Sequence, residues 1–331
     1  MLPRAVLPTP PFPTQLGRYE VLEPLAEGGM ATIYVGRARD QAGVPRLFAL
    51  KVVKEELLRD QQYVDMFRDE AKILSRLSHP NIVETIEVSL DEGHAFIAME
   101  LILGRAVADL SDEYVRRGAR MPIDLAAWIC ARVADALDYA HRITDDDGVR
   151  LDLIHRDANP TNILVTYDGR VKLIDFGLAK ALRRSAKSSQ GIVKGKVPYL
   201  SPEQIKERTI DHRSDLYTLG ATLWELTTGL RLWKRDTDVA TVLAIRDGKV
   251  PDPTEIVPGY PEEVWAIVWE ALMPQRDDRY ADAASMAKDL DAFVGRTSAP
   301  EGMELHAATI VEELFPGERA RREAWADRLR G

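Results

Sequence analysis

One cysteine, Cys130, stands among 331 residues, which excludes a disulfide framework and a thiolate metal cluster. A reducing cytoplasm suits such a chain. Long apolar runs are equally scarce, and none approaches the ~18 residues of a membrane-spanning helix. The start, MLPRAVLPTPPFPTQLG, is broken by five prolines and never forms the apolar block of a signal peptide. It reads as an extended, disordered leader over residues 1–17. Basic charge is the minority, 44 Lys and Arg against 53 Asp and Glu, for a net charge of −9. That balance argues against general affinity for nucleic acid. No fixed-period repeat occurs, so solenoids are set aside.

What is present falls into two textures. Residues 18–53 alternate strand-like runs with turns: RYEVLEPLA, EGGM, ATIYVGRAR, a turn at Ala42-Gly43, then RLFALKVV. That pattern is a β-meander. Over 59–77, Phe67, Ile73, Leu74 and Leu77 fall at helical spacing. HPNIV closes this helix, and two strands follow, VETIEVSL and HAFIAMELI, across a turn at Asp91-Glu92-Gly93. After residue 104 the chain turns helical, with an amphipathic LAAWICARVADALDYAH and helical patterns over 214–229, 238–247, 261–272 and 281–294. The expectation is a small β-rich lobe over 18–101, a larger helical lobe over 105–295, and a ligand crevice between them. A tail, 296–331, follows. Its Ile310, Leu314 and Phe315 are placed to dock on the helical lobe, and Trp325 and Leu329 to add a partner-binding face. The alternative for its end is a marginal surface helix.

The chemistry concentrates in four places. IHRDANPTNILV (154–165) holds Asp157 and Asn162 on a loop stiffened by Pro160, which pushes Asn159 out of the helical region. No basic residue lies between Asp157 and Asn162. Asp175 follows the strand VKLI and precedes Gly177, thirteen residues after Asn162. Asn162 and Asp175 thus become two hard oxygen ligands on adjacent strand ends, suited to Mg²⁺ shared with phosphates. Lys51 sits inside the apolar strand FALKVV, either snorkelling to water or binding phosphate against a buried counter-charge, for which Glu70 is the candidate.

In order and spacing, strand Lys51, helix Glu70, HRDANPTN, DFG at 175–177 and SPE at 201–203 resemble the signature set of protein kinases of the bacterial serine/threonine type. The resemblance covers roughly residues 18–295. It implies an α+β bilobal kinase fold, with ATP in the cleft between a β-rich N-lobe and an α-helical C-lobe. It implies transfer of the γ-phosphate of ATP, with Mg²⁺ or Mn²⁺, to Ser or Thr hydroxyls of protein substrates in bacterial signalling. By the same resemblance Asp157 accepts the substrate proton, Lys51 pairs with Glu70 and holds the α- and β-phosphates, and Asn162 and Asp175 hold the metal. Leu25, Ala26, Gly28 and Gly29 cover the nucleotide; Ile33, Ala49 and Leu164 sandwich the adenine; Met99 is the gatekeeper; Glu100 and Ile102 read the adenine edge. Asp215 would brace the catalytic loop from a buried helix, and Glu203 would pair with Arg279.

Three departures qualify it. The frame Ala26-Glu27-Gly28-Gly29-Met30-Ala31 keeps only the middle of the family's three loop glycines. Between His141 and Ile154 stands an insertion, RITDDDGVRLDL, whose acidic run lacks the spaced ligands and closing glutamate of a calcium loop and reads as a solvated turn. With HRDANPTN, it is closer to kinases of myxobacteria and related bacteria than to those of eukaryotes. Finally, Asn159 stands where serine/threonine kinases usually carry lysine, and Lys196 where they carry threonine. On that pattern the positive charge has changed loops, so Lys196 is expected to stabilise the transferring phosphate, the alternative being that it points to solvent with its loop's other bases. The resemblance also implies activation by phosphorylation, with Ser185, Ser188 or Ser189 of a basic loop docking on Arg156, the alternative being a basic, solvated loop that is never modified. The competing readings are a nucleotide-binding pseudokinase scaffold and a small-molecule phosphotransferase. The intact acids and Lys51 argue against the first, and SPE with Arg279 against the second.

Overall fold

A computed structural model describes residues 13–40, 42–91, 94–176, 197–206, 209–298 and 302–331, with all their side chains except those of Met66, Asp69, Glu70, Lys72 and Asp91. The chain divides into two compact units. One runs to Val64 and adds Thr85–Leu101 and Ala324–Gly331; the other comprises Asp65–Glu84 and Ile102–Glu323.

The first unit is built on β1 (Gln15–Leu16), β2 (Tyr19–Glu27), β3 (Ala31–Arg39) and β4 (Pro45–Val53). Helix α1 (Glu55–Leu58) and the start of α2 (Gln61–Leu74) follow, then β5 (Thr85–Asp91) and β6 (His94–Glu100). The six strands form one antiparallel sheet in the order β1-β2-β3-β4-β6-β5. Alternation along each strand puts Leu16, Tyr19, Val21, Leu50, Val52, Phe96 and Ala98 into one core. Here the disordered-leader expectation is corrected at its inner end. Gln15 and Leu16 pair with Glu20 and Tyr19, and Leu16 is buried in that core. The apolar side chain fixes the register where the prolines end; residues 1–12 lie outside the described ones.

The second unit holds β7 (Gly104–Ala106), α3 (Val107–Arg116), α4 (Ile123–Arg142), β8 (Ile163–Thr166) and β9 (Val171–Leu173). Then come α5 (Pro202–Ile205), α6 (Arg213–Thr228), α7 (Asp238–Asp247), α8 (Glu262–Ala271) and α9 (Ala283–Thr297). Helix α6 is buried from Ser214 to Thr228, so it is the axis against which α4 and α8 pack. The acidic insertion is a turn. Asp145 Oδ1 accepts the Asp147 and Val149 amides, and Arg76 holds Asp146 at 2.8 Å.

The tail forms α10 (Met303–Leu314) and α11 (Glu318–Arg330). Ile310 and Leu314 are buried, as expected, with α10 against α3, α4 and β8. Gly169, at φ +93°, lets this helix approach: an added Cβ would lie 1.8 Å from the Glu304 carbonyl oxygen. Arg105 lies over the Phe315 ring at 4.4 Å and bonds Glu318 at 2.7 Å.

Candidate active site

Three residues of the second unit hold torsions that side-chain-bearing residues avoid: the exposed Asp152 at φ 45°, and, within the acidic motifs, Arg156 at φ 69° and Asp175 at φ 67°. Such strain costs about 1–3 kcal/mol per residue and persists only where its surroundings over-determine it. Those surroundings are visible. Asp215, fully buried on α6, accepts the His155 amide at 2.8 Å, the Arg156 amide at 2.6 Å and His141 Nε2 at 2.8 Å. Burial alone would raise the Asp215 carboxyl; the His141 bond and charge, His155 and the Arg156 amide hold it below its ordinary value. The His155 ring packs edge-on against Phe176, centroids 4.4 Å apart, and its Nε2 meets the Ile174 carbonyl at 2.9 Å. Burial pushes the His155 pKa down, which favours the neutral ring donating that bond. One buried carboxylate therefore fixes the loop, and the loop's histidine fixes the segment around Asp175.

Asp157 is buried at the loop's centre. Asn162 Nδ2 donates to its Oδ2 and to its main-chain oxygen, both at 2.8 Å, and Asn159 Nδ2 donates to its Oδ1 at 2.6 Å. Asn159 is locked in turn, its Oδ1 accepting the Thr161 amide at 2.9 Å and hydroxyl at 2.6 Å. The two asparagine amides, one on each carboxylate oxygen, thus set the direction of the Asp157 side chain.

Asn162 directly precedes β8 and Asp175 follows β9. Ile163 pairs with Leu173, and the Ile174 amide donates to the Asn162 carbonyl at 2.9 Å, so both residues sit at one end of the hairpin. With Nδ2 committed to Asp157, Asn162 has its amide oxygen to offer a cation, and Asp175 brings a carboxylate to the same end of the hairpin. Hard oxygens of this kind suit Mg²⁺ or Mn²⁺, but two complete no coordination shell. Among the described residues, no group of three or more His, Cys, Asp or Glu is arranged to hold a metal ion. The donor set fits a cation whose remaining ligands come from phosphate and water.

In the first unit the ladder places Ile33, Lys51 and Ile97 opposite one another, and Val35, Ala49 and Met99 likewise. Cross-strand partners share a face. Ile33, Ala49, Lys51 and Met99 therefore line the sheet face opposite the Leu50–Phe96 core. Ala26 pairs with Ile33 beyond a bulge, Leu25 is exposed, and the tip closes with the Gly28 amide on the Ala31 carbonyl at 2.9 Å. Glu100 pairs with Phe48 at the end of β6. In the second unit Ile102 precedes β7, and Leu164 pairs with Ala106 and Lys172 on β8. Glu70 lies on α2 with its side chain outside the described ones, and Ser185, Ser188, Ser189 and Lys196 lie outside the described residues.

Two further acids sit beside the chain that leads to SPE. Glu203 and Arg279 form the expected pair, bidentate at 2.8 and 2.9 Å, with the Ser214 hydroxyl donating to Glu203 at 2.5 Å. Against the rise that burial imposes, Arg279 and Ser214 bring the Glu203 pKa to about 2. Sequence reasoning missed the second acid. Glu225 accepts the Tyr199 hydroxyl at 2.7 Å and the Leu232 amide at 3.0 Å, with Arg231 at 3.3 Å. Burial raises its carboxyl. His141 was missed as well; its only signal is a polar ring on the last turn of an otherwise apolar helix face.

The protein kinase domain family matches residues 19–289. A Myxococcus xanthus protein, tyrosine-protein kinase MasK, is 35% identical over 286 residues, covering 86% of this chain and 44% of that protein. The serine/threonine-protein kinase PknL of Mycobacterium tuberculosis is 34% identical over 284 residues, covering 86% of this chain and 67% of PknL. Among solved structures, the M. tuberculosis PknI kinase domain matches with a TM-score of 0.63 at 26% identity, over 84% of this chain and 96% of that one. The chain thus spans less than half the length of MasK and about two thirds of PknL.

Proposed function

The chain belongs to the protein kinase domain family, with that family's β-sheet N-lobe and helical C-lobe, and from this membership we propose a serine/threonine protein kinase acting over residues 18–295, with 296–331 as its tail. The observation that carries the proposal is the Asp157 carboxylate, buried and oriented by Asn159 and Asn162, with Asp175 at the same hairpin end as Asn162. Asp157 takes the proton of a substrate hydroxyl as that oxygen attacks the γ-phosphorus of ATP. The bond from phosphorus to the β,γ-bridging oxygen breaks, and ADP leaves. Lys51, paired with Glu70, steadies the α- and β-phosphates. Leu25, Ala26, Gly28, Gly29, Ile33, Ala49, Met99, Glu100, Ile102 and Leu164 receive the nucleotide. Asn162 and Asp175 would hold Mg²⁺ or Mn²⁺, which neutralises phosphate charge when bound. A pseudokinase scaffold is disfavoured because every one of these acids and Lys51 is present.

Lys196 is the proposed cation for the transferring phosphate, since the buried Asn159 amide is already spent on Asp157. Lys196→Ala should slow turnover about a hundredfold, or about 2.7 kcal/mol. Phosphate on Ser188 or Ser189, or on Ser185, would dock on Arg156 and order the basic loop. No described helix is long and apolar enough to cross a membrane, and the proposed setting is the cytoplasm. A tail-mediated protein partner rests on sequence alone, because Trp325 and the Leu329 carbonyl are bonded within the chain.

One relative is named a tyrosine kinase, and the lysine usual in serine/threonine kinases is absent at Asn159, so tyrosine is the second reading for the acceptor. Radiolabelled ATP with the wild-type chain and Asp157→Asn decides both points. Label on serine or threonine, at least a thousandfold slower in the variant, supports the proposal. Label on tyrosine alone moves the acceptor, and no transfer by the wild type removes the kinase reading.

A further inference from the structure

The last eight residues, Ala324–Gly331, group with the first unit although they end a helix that begins in the second. In the second unit the start of α11 is held by Arg105 on Glu318 at 2.7 Å and by Arg319 donating to the Tyr167 carbonyl at 3.3 Å. In the first unit its end is held on the β2–β3 ladder. Trp325 Nε1 donates to Glu23 at 2.6 Å, Ala326 is buried, and Arg37 Nη1 donates to the Leu329 carbonyl at 3.0 Å. The same guanidinium holds Glu20 at 2.8 and 3.1 Å. Leu329 is among the last residues of α11, whose carbonyls lack partners within the helix, and a cation there also meets the negative end of the helix dipole.

The place of these bonds is informative. Glu23 lies between two irregularities in the β2–β3 ladder, one at Val21/Glu23 and one at Pro24/Ala26. Bulges break ladder bonds and add local twist, so this part of β2 is the least constrained by its own sheet. Two and three residues beyond Glu23 come Leu25 and Ala26, and then the Gly28–Met30 tip, the proposed nucleotide cover. Trp325 therefore supplies from the tail a restraint that the ladder lacks.

We propose that Trp325, with the last turn of α11, is a positioning element for nucleotide binding, bracing the bulged part of β2 so that Leu25, Ala26 and the tip hold their register over ATP. This rests on the kinase reading and adds the tail to its nucleotide-binding apparatus. It touches neither the acceptor nor the transfer step, so it acts on ATP affinity and leaves kcat alone.

The test uses the full chain beside Trp325→Ala, Trp325→Phe, Glu23→Gln and a chain ending at Glu323. A fluorescent ATP analogue gives Kd, and steady-state transfer gives KM for ATP and kcat. Truncation and Trp325→Ala should raise Kd and KM for ATP about five- to tenfold with kcat within about twofold, the scale of one charge-assisted hydrogen bond. Trp325→Phe keeps the ring but not the N–H and should fall between. Glu23→Gln keeps an acceptor but loses the charge, and should raise Kd for ATP by no more than about twofold. Unchanged ATP affinity in the variants, or a fall in kcat at constant KM, overturns the proposal while wild-type transfer leaves the kinase reading standing. If truncation and Trp325→Ala fail to fold by circular dichroism, Trp325→Phe against Glu23→Gln decides it. A wild-type chain that neither binds the analogue nor transfers phosphate overturns the kinase reading itself.

Discussion

The loop at 154–162 and the tip at 27–31 face one proposed task, holding phosphate and acceptor for transfer, and they are built in opposite ways. The loop's acid and its braces are buried and bonded: Asp157 to two asparagine amides, Asp215 to two backbone amides and a histidine. The tip closes on one backbone bond, Gly28 to Ala31, with Met30 accepting the Lys54 amide and Glu27 meeting Lys54 at 3.2 Å. The difference separates orientation from enclosure. A base must stand in one direction throughout the cycle, so burial and redundant hydrogen bonds suit it. A cover must open for ADP to leave, so a weakly held tip braced from further down the strand suits it.

The comparison breaks most severely at Asp215. Asp215→Ala leaves the amides of His155 and Arg156 and the His141 ring without their buried acceptor, while Arg156 still carries a positive φ. Removing one side of such a buried network costs about 3–5 kcal/mol. The expected outcome is an unfolding free energy from urea titration lowered by that amount, with a correspondingly lower midpoint, and transfer lost even at temperatures where the variant is folded. An unchanged midpoint would show that the loop supports itself, and the contrast with the tip would collapse.

Glu203 tests the same principle through pH. Its folded-state pKa of about 2 lies below its ordinary value of 4.5. The stabilisation is therefore complete above about pH 4.5 and is lost as pH falls toward about 2. A shift of that size is worth at most about 3 kcal/mol, reduced by solvent screening. Glu203→Gln should be less stable than the wild type at pH 7 and lose less stability between pH 4.5 and 2. Parallel stability–pH curves for the two proteins would assign the acid response to other carboxylates.

How far these features could be read beforehand depends on how local their cause is. Asp157, Asn162, Asp175 and Asp215 sit in short motifs, and the helices over 238–247 and 262–271 follow from periodicity within single segments. The β-rich and helical textures also separate along the sequence. His141 became legible only when α4 met α6, because its partner Asp215 is 74 residues away. Glu225 and Tyr199 are 26 apart, and Trp325 and Glu23 are 302 apart. Nor does residue type announce the positive φ at Arg156: Asp215 imposes it through the backbone. Leu16 was hidden by its prolines, whose composition outweighed one apolar side chain.

The smallest effect belongs to the tip, where two adjacent glycines should behave differently. A Cβ on Gly28 would lie 3.2 Å from the Ala31 carbonyl oxygen, the atom its own amide bonds, whereas a Cβ on Gly29 meets nothing within 4 Å. Neither glycine has the positive φ that would strain alanine. Gly28→Ala must therefore loosen the closing bond or shift Ala31, and KM for ATP should rise about threefold with kcat unchanged, under 1 kcal/mol. Gly29→Ala should hold KM within about twofold and gain about 0.4–1 kcal/mol of stability by restricting the unfolded chain. Both are read from steady-state kinetics and urea unfolding of the same preparations. A larger rise in KM for Gly29→Ala than for Gly28→Ala would mean that close approach of bound phosphate, rather than the packing of the tip on itself, is what demands glycine there.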